Sequence, residues 1–189
     1  MNLYIKYMVS LRCKMMVKDE LNKLGYSSSF IEQGKLTLEE TISEDELVVL
    51  SKKLTRIGFE LLDETQSEFI ESIKTIVVKQ VADPIISTSA EYTEYISKKL
   101  NRTPEEINDM FAEVHGMALS KYIAIQKVEF AKELLLFDKL TVTTVSSKLK
   151  YINAEKLTNE VKQVTGLPAV FYKKIGKKME QITKAQNKK

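Results

Sequence analysis

Two short amphipathic helices with a tight turn between them are predicted within residues 141–174, and no other pattern in the sequence constrains the fold as much. Thr141 is a favourable N-cap for the first helix, and Asn153 for the second. Apolar side chains recur at helical spacing in both, namely Val142, Val145 and Leu149 in the first and Leu157, Val161 and Val164 in the second. Gly166 and Pro168 end the second helix. This layout predicts a helix-turn-helix, whose second helix can enter the major groove of DNA.

The same organisation is predicted for residues 91–119. Arg102 lies in the turn, and Thr103 and Glu106 have the spacing of a capping box that opens the second helix. The inner faces carry apolar side chains at helical spacing, namely Tyr92, Tyr95, Ile96 and Leu100, followed by Ile107, Met110, Phe111 and Val114. A long amphipathic helix over residues 119–137 joins this unit to the next one.

Two segments carry a resemblance to a known family: HGMALSKYIAIQKVEFAKELL (115–135) and VKQVTGLPAVFYKK (161–174). Together with two helix-turn-helix units on one connecting helix, they resemble the DNA-binding domain of AraC/XylS transcription regulators. The second segment follows the closing pattern of that family at Lys162, Thr165, Gly166, Phe171 and Lys173. The resemblance covers roughly residues 90–175. It implies an all-α double helix-turn-helix domain that binds double-stranded DNA and regulates transcription.

The outer face of the second recognition helix supplies the residues best suited to read bases. Asn159 can pair with an adenine edge, and Lys156 can reach a guanine or a phosphate. Lys148 and Lys150 flank the turn, where contacts to phosphates position a protein without specifying sequence. Lys150 stands where the family carries glycine, and a positive φ there costs about 1 kcal/mol. The predicted DNA-binding residues are Arg102, Thr103, Asn108, Lys148, Lys150, Asn153, Lys156, Asn159, Lys162 and Lys173.

Charge is distributed unevenly along the chain. Residues 139–189 contain 12 Lys against 3 acidic residues, whereas residues 84–138 contain 6 basic against 9 acidic and residues 1–83 contain 11 against 14. A basic block of this kind is expected where the C-terminal part alone contacts a polyanion. The first recognition helix is instead acidic, with Glu105, Glu106, Asp109 and Glu113 close together. This departure supports a second interpretation, a protein-interaction module with vestigial DNA binding.

The N-terminal part has a different pattern, in which strands and helices alternate. A strand over residues 1–8 precedes a helix over 13–24, and a hairpin forms around Gly34. The sequence SEDE (43–46) is a capping box that opens a second helix, and residues 59–62 supply a last strand. The order βαββαβ predicts an α+β ferredoxin-like domain, with two helices on one face of a four-stranded antiparallel sheet.

The segment MVSLRC (8–13) stands where the first strand meets the first helix. It resembles the M-x-C-x-x-C loop of heavy-metal-associated domains, but Ser10 replaces the first cysteine and leaves only Cys13. One thiolate and a hydroxyl do not make a tight site for a soft metal, so Cys13 is a weak metal candidate and no cofactor is expected. The favoured interpretation is an ordinary buried cysteine at a helix start. The alternatives are a reactive thiol with a depressed pKa, a thiol that pairs across a dimer, or a metallochaperone-like protein.

These patterns divide the chain into four parts. Residues 1–64 are predicted as the ferredoxin-like domain, and residues 65–88 as a linker with a helix over 67–82. Residues 89–176 are predicted as the double helix-turn-helix domain, and residues 177–189 as a disordered basic tail. The linker helix is amphipathic, so a homodimer formed through it is a further expectation. The N-terminal domain is expected to sense an effector that the sequence does not identify.

Composition argues against several other classes of protein. The sequence has no apolar run long enough to span a bilayer and no signal peptide, and its single cysteine suits a reducing cytoplasm. The only histidine, His115, falls at the C-terminal end of a helix, where the dipole and solvent account for it. No nucleophile–histidine pair or phosphate-binding glycine loop is recognisable, so the protein is not expected to be an enzyme or to contact a membrane.

Overall fold

The computed structural model describes residues 1–26, 29–32, 34–138 and 140–186. In chain order the elements are β1 (Asn2–Lys6), α1 (Leu11–Asn22), β2 (Ser29–Glu32), β3 (Lys35–Leu38), α2 (Glu44–Arg56), β4 (Glu60–Leu61), α3 (Glu64–Ala82), α4 (Ser89–Leu100), α5 (Pro104–His115), α6 (Leu119–Leu136), α7 (Val142–Lys148), α8 (Ala154–Thr165) and α9 (Ala169–Gln186). Two compact units form. The first contains residues 1–73 and 97–119, and the second contains residues 74–96 and 120–189.

The first unit is built on a four-stranded antiparallel sheet with the order β2-β3-β1-β4. Leu3 stands opposite Leu36, and Ile5 opposite Leu61, so apolar side chains of neighbouring strands meet on one face. Helices α1 and α2 contribute Val17, Leu21, Leu50 and Leu54 to the same core. The predicted capping box at the start of α2 is confirmed, because Ser43 and Glu46 exchange both hydrogen bonds.

The opposite face of the sheet is covered by α3 and α5. Successive strand residues point to opposite faces, so Tyr4 and Lys6 project away from the α1 and α2 side. The Tyr4 hydroxyl donates to the Glu71 carboxylate, and Lys6 Nζ lies 3.2 Å from Glu113 Oε2. Burial disfavours the charge of Lys6, but hydrogen bonds and charge from Glu60 and Glu113 outweigh it and raise its pKa.

Helix α5 also contacts the strands through its backbone. The Tyr7 N–H donates to the Glu113 carbonyl at 2.8 Å. Gly34 has φ +75° and lies so close to the Val114 carbonyl that a Cβ would collide with it. These contacts explain why residues 97–119 pack with the sheet, whereas the sequence analysis placed them with the C-terminal helices.

His115 is buried in the first unit, where its ring centroid lies 4.5 Å from that of Phe111. The expectation that solvent accounts for this histidine is therefore wrong. His115 lies one helical turn after Phe111 and directly after Val114, so the periodicity that buries those two residues buries the histidine as well.

The second unit has its own apolar core. It is formed by Val128, Ala131, Leu134, Leu135, Val145, Leu149, Leu157, Val161 and Ala169. Val164, predicted on the inner face of α8, is 37% exposed, because the last turn of the helix runs past this core. No helix among the described residues is long and apolar enough to cross a membrane.

Helix α9 extends further than the sequence analysis predicted. It continues to Gln186, so the prediction of a disordered tail is wrong for residues 177–186, and residues 187–189 lie outside the described part. Gly176 allows α9 to approach α6 closely, because a Cβ there would collide with the Leu136 carbonyl. This close approach anchors the helix beyond Phe171 and Tyr172, where the apolar pattern of the sequence weakens.

Candidate nucleic-acid interface

Helix α8 has a capped start, a buried side and an exposed side. Asn153 Oδ1 accepts a hydrogen bond from the Lys156 backbone N–H at 2.8 Å and so caps the helix. Leu157 and Val161 are fully buried and fix which side faces the core. The opposite side exposes the side chains of Glu155, Lys156, Asn159 and Lys162. Because Asn153 uses its carbonyl oxygen as the cap, its contribution to an interface is chiefly to position the helix.

The turn between α7 and α8 presents two exposed lysines. Lys148 ends α7, and Lys150 follows with φ +58°, so the predicted positive φ at Lys150 is confirmed. Backbone hydrogen bonds close the turn, from Lys150 N–H to the Ser147 carbonyl and from Tyr151 N–H to the Ser146 carbonyl. Both exposed lysines therefore lie on a defined backbone shortly before α8 in the chain.

A buried lysine that is not among the predicted site residues holds this turn in place. Lys127, in α6, is only 6% exposed. Its Nζ donates to the Ser87 carbonyl at 3.1 Å and lies 4.3 Å from the centroid of the Tyr151 ring. The Tyr151 hydroxyl in turn donates to Glu160 Oε1 at 3.1 Å. Lys127, Tyr151 and Glu160 thus connect α6, the turn and α8 in one chain of polar contacts.

Burial shifts the pKa values of Lys127 and Tyr151. It lowers the pKa of Lys127, and the carboxylates of Glu160 and Glu91 oppose that shift. Burial also raises the pKa of Tyr151, with a further contribution from Glu160, so the hydroxyl remains a donor at neutral pH. A sequence signal for Lys127 does exist. It is a lysine four residues after the buried Ile123 and four before the buried Ala131, within an otherwise apolar stripe.

The predicted DNA-binding residues outside α8 and its turn differ in their exposure and in the contacts they already make. Lys173 is half-buried in α9, beside the exposed Lys174. Thr103 caps α5 by accepting from the Glu106 N–H at 3.2 Å, while the Glu106 carboxylate accepts from the Thr103 N–H at 2.8 Å. The predicted capping box is confirmed, and the Thr103 N–H lowers the pKa of Glu106. Asn108 is exposed on the outer side of α5.

Arg102 is engaged within the first unit. Its Nη1 lies 3.8 Å from Glu106 Oε1, and its guanidinium carbon lies 5.9 Å from the centroid of the Phe69 ring. Its side chain is nevertheless 54% exposed. The turn before α5 also has a residue with positive φ, Asn101 at +52°. The residue after each positive φ donates to a carbonyl five residues earlier, Arg102 N–H to Ser97 and Tyr151 N–H to Ser146, so the helices before the two turns end in the same way.

Helix α5 is acidic, whereas α8 is itself balanced, with two Lys against two Glu, and lies within a basic segment of the chain. Residues 104–115 contain four acidic residues and no Lys or Arg, whereas residues 148–174 contain six Lys against two Glu. A surface that neutralises phosphates requires the second pattern. Among the predicted residues, the structure therefore groups Lys148, Lys150, Lys156, Asn159 and Lys162 around α8. Asn108 lies on the acidic α5, and Arg102 and Thr103 come just before that helix.

Cys13 does not form part of a multidentate site in the described residues, where no cluster of three His, Cys, Asp or Glu side chains could hold a metal ion. Its Sγ lies 3.1 Å from Ser10 Oγ, the side chain that caps α1. This hydrogen bond lowers the pKa of the thiol, with smaller contributions from backbone N–H groups at the helix start. The favoured prediction of a buried cysteine is wrong, because Cys13 is half-buried.

Comparisons with known proteins give structural neighbours only. No protein-family model matches the chain, and no curated protein matches it. A transcriptional regulator of Chromobacterium violaceum, described as an AraC-type DNA-binding domain-containing protein, is 10% identical and has a TM-score of 0.52. That match covers 60% of this chain and 96% of that one.

Two further structures match at lower similarity. The C-terminal domain of AraT, a response regulator from Geobacillus stearothermophilus, is 17% identical with a TM-score of 0.49, and the match covers 56% of this chain and 84% of that one. The C-terminal domain of the two-component response regulator yesN from Fusobacterium nucleatum is 19% identical with a TM-score of 0.47, covering 55% and 95%. The Chromobacterium match shows that the helical C-terminal part has the fold of an AraC-type DNA-binding domain.

Proposed function

We propose that this protein is a cytoplasmic, sequence-specific transcription regulator of the AraC/XylS type that binds double-stranded DNA and has no enzymatic activity. One observation carries the proposal. The exposed side of α8 presents Lys156, Asn159 and Lys162 on a helix whose other side is fixed by the buried Leu157 and Val161. A rigid helix with an amide between two ammonium groups has the chemistry needed to read a base edge and hold the flanking phosphates.

Asn159 is the proposed base-reading residue, and Lys148, Lys150, Lys156 and Lys162 are the proposed phosphate contacts. An amide that pairs bidentately with adenine contributes about 1–3 kcal/mol to discrimination. Lysines that contact phosphates contribute on every sequence, and each adds about one to the salt slope of binding. Arg102, Thr103, Asn108, Asn153 and Lys173 are assigned supporting roles, because each caps a helix, is half-buried, or lies on the acidic α5 or in the turn just before it.

The proposed regulator has a ferredoxin-like N-terminal domain over residues 1–64 and a DNA-binding domain over residues 89–176, joined by the linker of residues 65–88. The strand order β2-β3-β1-β4 and the two helices on one face of the sheet support the ferredoxin-like assignment. We assign this domain to sensing an effector or to homodimerisation. Cys13 is half-buried, and its lowered pKa increases the fraction of thiolate, which is the form that reacts or binds metals.

The test is anisotropy with the full chain, titrated against the DNA upstream of its own gene and against a scrambled duplex of equal length, at several salt concentrations. The expected result is tighter binding to the natural fragment, with a salt slope that indicates several phosphate contacts. Asn159→Ala should weaken binding to the natural fragment by about 1–3 kcal/mol and leave the scrambled duplex almost unchanged. Asn22→Ala, at an exposed asparagine in α1, is the matched control and should change neither.

A second candidate function has its own support. Helix α5 carries Glu105, Glu106, Asp109 and Glu113, and Glu113 is bound to Lys6 and to the backbone of Tyr7. An acidic helix held against a sheet is suited to a protein-interaction module in which DNA binding is vestigial. Equal weak binding of both duplexes, unaffected by Asn159→Ala at low salt, would favour that function over the regulator.

A further inference from the structure

A cleft within the first unit has the size and the lining residues of a small-molecule binding site. It lies between the first turns of α3 and the outer side of α5 and has a volume of about 400 Å³. Sites for small organic ligands generally fall in the range of about 300–1,000 Å³ and combine apolar surface with a few polar groups. Here Phe69 and Met110, both half-buried, form the apolar surface, and Glu106, Asp109 and Glu113 line the cleft beside it.

The charges on the wall favour a cation. Arg102 is the one positively charged side chain among the lining residues, against three carboxylates. Two of these carboxylates already have partners, since Glu106 accepts from the Thr103 N–H and Glu113 pairs with Lys6 at 3.2 Å. Asp109 is exposed and forms no ion pair with any residue in the described part of the first unit. It is therefore the carboxylate available to a ligand.

Arg102 indicates which shape of cation the cleft accepts. A guanidinium is planar, and that of Arg102 lies 5.9 Å from the centroid of the Phe69 ring, near the outer limit of a cation–π contact. Its distance to Glu106 is also long, at 3.8 Å, and more than half of the side chain is exposed. Contacts of this length at an exposed site are weak. A ligand with the same planar charge can therefore displace the guanidinium from the ring.

We propose that this cleft binds a planar aromatic cation, an amidinium or guanidinium on an aromatic ring. The ring lies against Phe69 and Met110, and the charged end meets Asp109. The guanidinium of Arg102 competes for the same aromatic face, so it acts as an internal occupant of the site. The test of this site uses no DNA, so its outcome is separate from that of the DNA-binding test.

The experiment is a two-dimensional ¹H–¹⁵N NMR titration of the full chain with benzamidine, and with neutral benzamide and anionic benzoate as controls. Benzamidine should shift amide signals at the start of α3 and along α5, with a Kd of about 0.1–1 mM for a ligand of this size. Benzamide and benzoate should bind at least about tenfold more weakly, because benzamide offers no charge to the carboxylate wall and the negative charge of benzoate is repelled by it.

Three variants separate a cation site from its alternatives. Asp109→Asn and Phe69→Leu should each weaken benzamidine binding about fivefold, whereas Arg102→Ala should strengthen it about two- to fivefold by removing the competing cation. Glu105→Gln, on the same helix but outside the cleft, is the matched control and should leave the Kd unchanged. Asp109 is exposed, so Asp109→Asn tests the site even if Phe69→Leu disturbs folding.

Three results would overturn the proposal. Benzoate binding that is lost in Arg102→Ala would identify an anion site. Equal binding of benzamide and benzamidine would identify an apolar groove without charge selectivity. The absence of shifts in α3 and α5 up to about 10 mM benzamidine, ten times the weakest Kd expected for such a ligand, would show that the cleft holds no such ligand.

Discussion

Replacing Tyr92 by Phe should stabilise the protein. Tyr92 lies in α4 with its side chain fully buried, and its hydroxyl has no hydrogen-bond partner in the part of the chain that the structure describes. A buried hydroxyl without a partner costs about 1–3 kcal/mol. Phenylalanine retains the ring and its apolar contacts. We therefore expect the free energy of unfolding at pH 7 to rise by about 1 kcal/mol, measured by urea denaturation of the full chain.

The pKa of Tyr92 gives this prediction a second signature. Burial raises that pKa from 10.0 to about 12. Between those values the folded protein keeps a phenolic proton that the unfolded chain releases, so the free energy of unfolding falls as pH rises through this window. A single group with these constants removes up to about 1.3 kcal/mol between pH 9 and pH 11, and solvent screening reduces that figure.

The assay compares urea denaturation of the wild type and Tyr92→Phe at pH 7, 9, 10 and 11. The advantage of the variant should grow from about 1 kcal/mol at pH 9 to about 2 kcal/mol at pH 11. Tyr151, whose pKa burial also raises, is present in both proteins, and Tyr92 is only the smallest cause of its shift, so most of its contribution cancels in the difference. Tyr7→Phe, at a tyrosine that is 45% exposed, is the control and should change stability at pH 7 by less than about 0.5 kcal/mol. A constant difference between pH 9 and 11, or a variant less stable than the wild type, would refute the reasoning.

Three further substitutions test other contacts by thermal or urea denaturation. Tyr151→Phe keeps the ring beneath the buried lysine but loses the hydrogen bond to Glu160, and it should destabilise the protein by about 1–2 kcal/mol; no change would mean that this bond is exchanged for water without loss. Gly34→Ala should destabilise the protein by more than about 2 kcal/mol, because the added Cβ collides with the backbone of α5. Gly25→Ala is the control: Gly25 has φ +90° but open space around it, so the protein should lose only about 1 kcal/mol of stability. Equal losses of stability in the two variants would contradict the close approach of Gly34 to α5. Lys150→Gly should stabilise by up to about 1 kcal/mol by relieving a φ of +58°, and a loss of stability would show that the lysine side chain contributes more than the strain.

Local signals in the sequence predicted the helix starts well. Ser43, Thr103, Thr141 and Asn153 all cap the helices they were expected to cap. A cap depends on residues within one turn of the chain, and so it can be read without knowledge of the fold. The positive φ of Lys150 was predictable for the same reason, because the turn allows few backbone geometries.

Contacts between distant segments could not be predicted in this way. Lys6 looks like an ordinary strand residue until Glu113 is brought beside it, and the apolar stripe around Lys127 does not reveal that Tyr151 covers this lysine. The acidic character of α5 was visible in the sequence. Its attachment to the sheet through Tyr7 and Gly34 was not, because it depends on backbone groups that carry no residue-specific signal.

The sequence by itself determined the order of helices and strands, the caps that start the helices, and the contrast between an acidic α5 and the basic segment of residues 148–174 that contains α8. These properties follow from periodicity, composition and the conformational preferences of single residues, all of which act over a few positions. Only the tertiary structure decided that the second face of the sheet is covered by α3 and α5, that α9 continues to Gln186, and that Lys127 is buried. Each of these features depends on how helices and strands that are distant in sequence pack together. The burial of apolar area between them decides that packing.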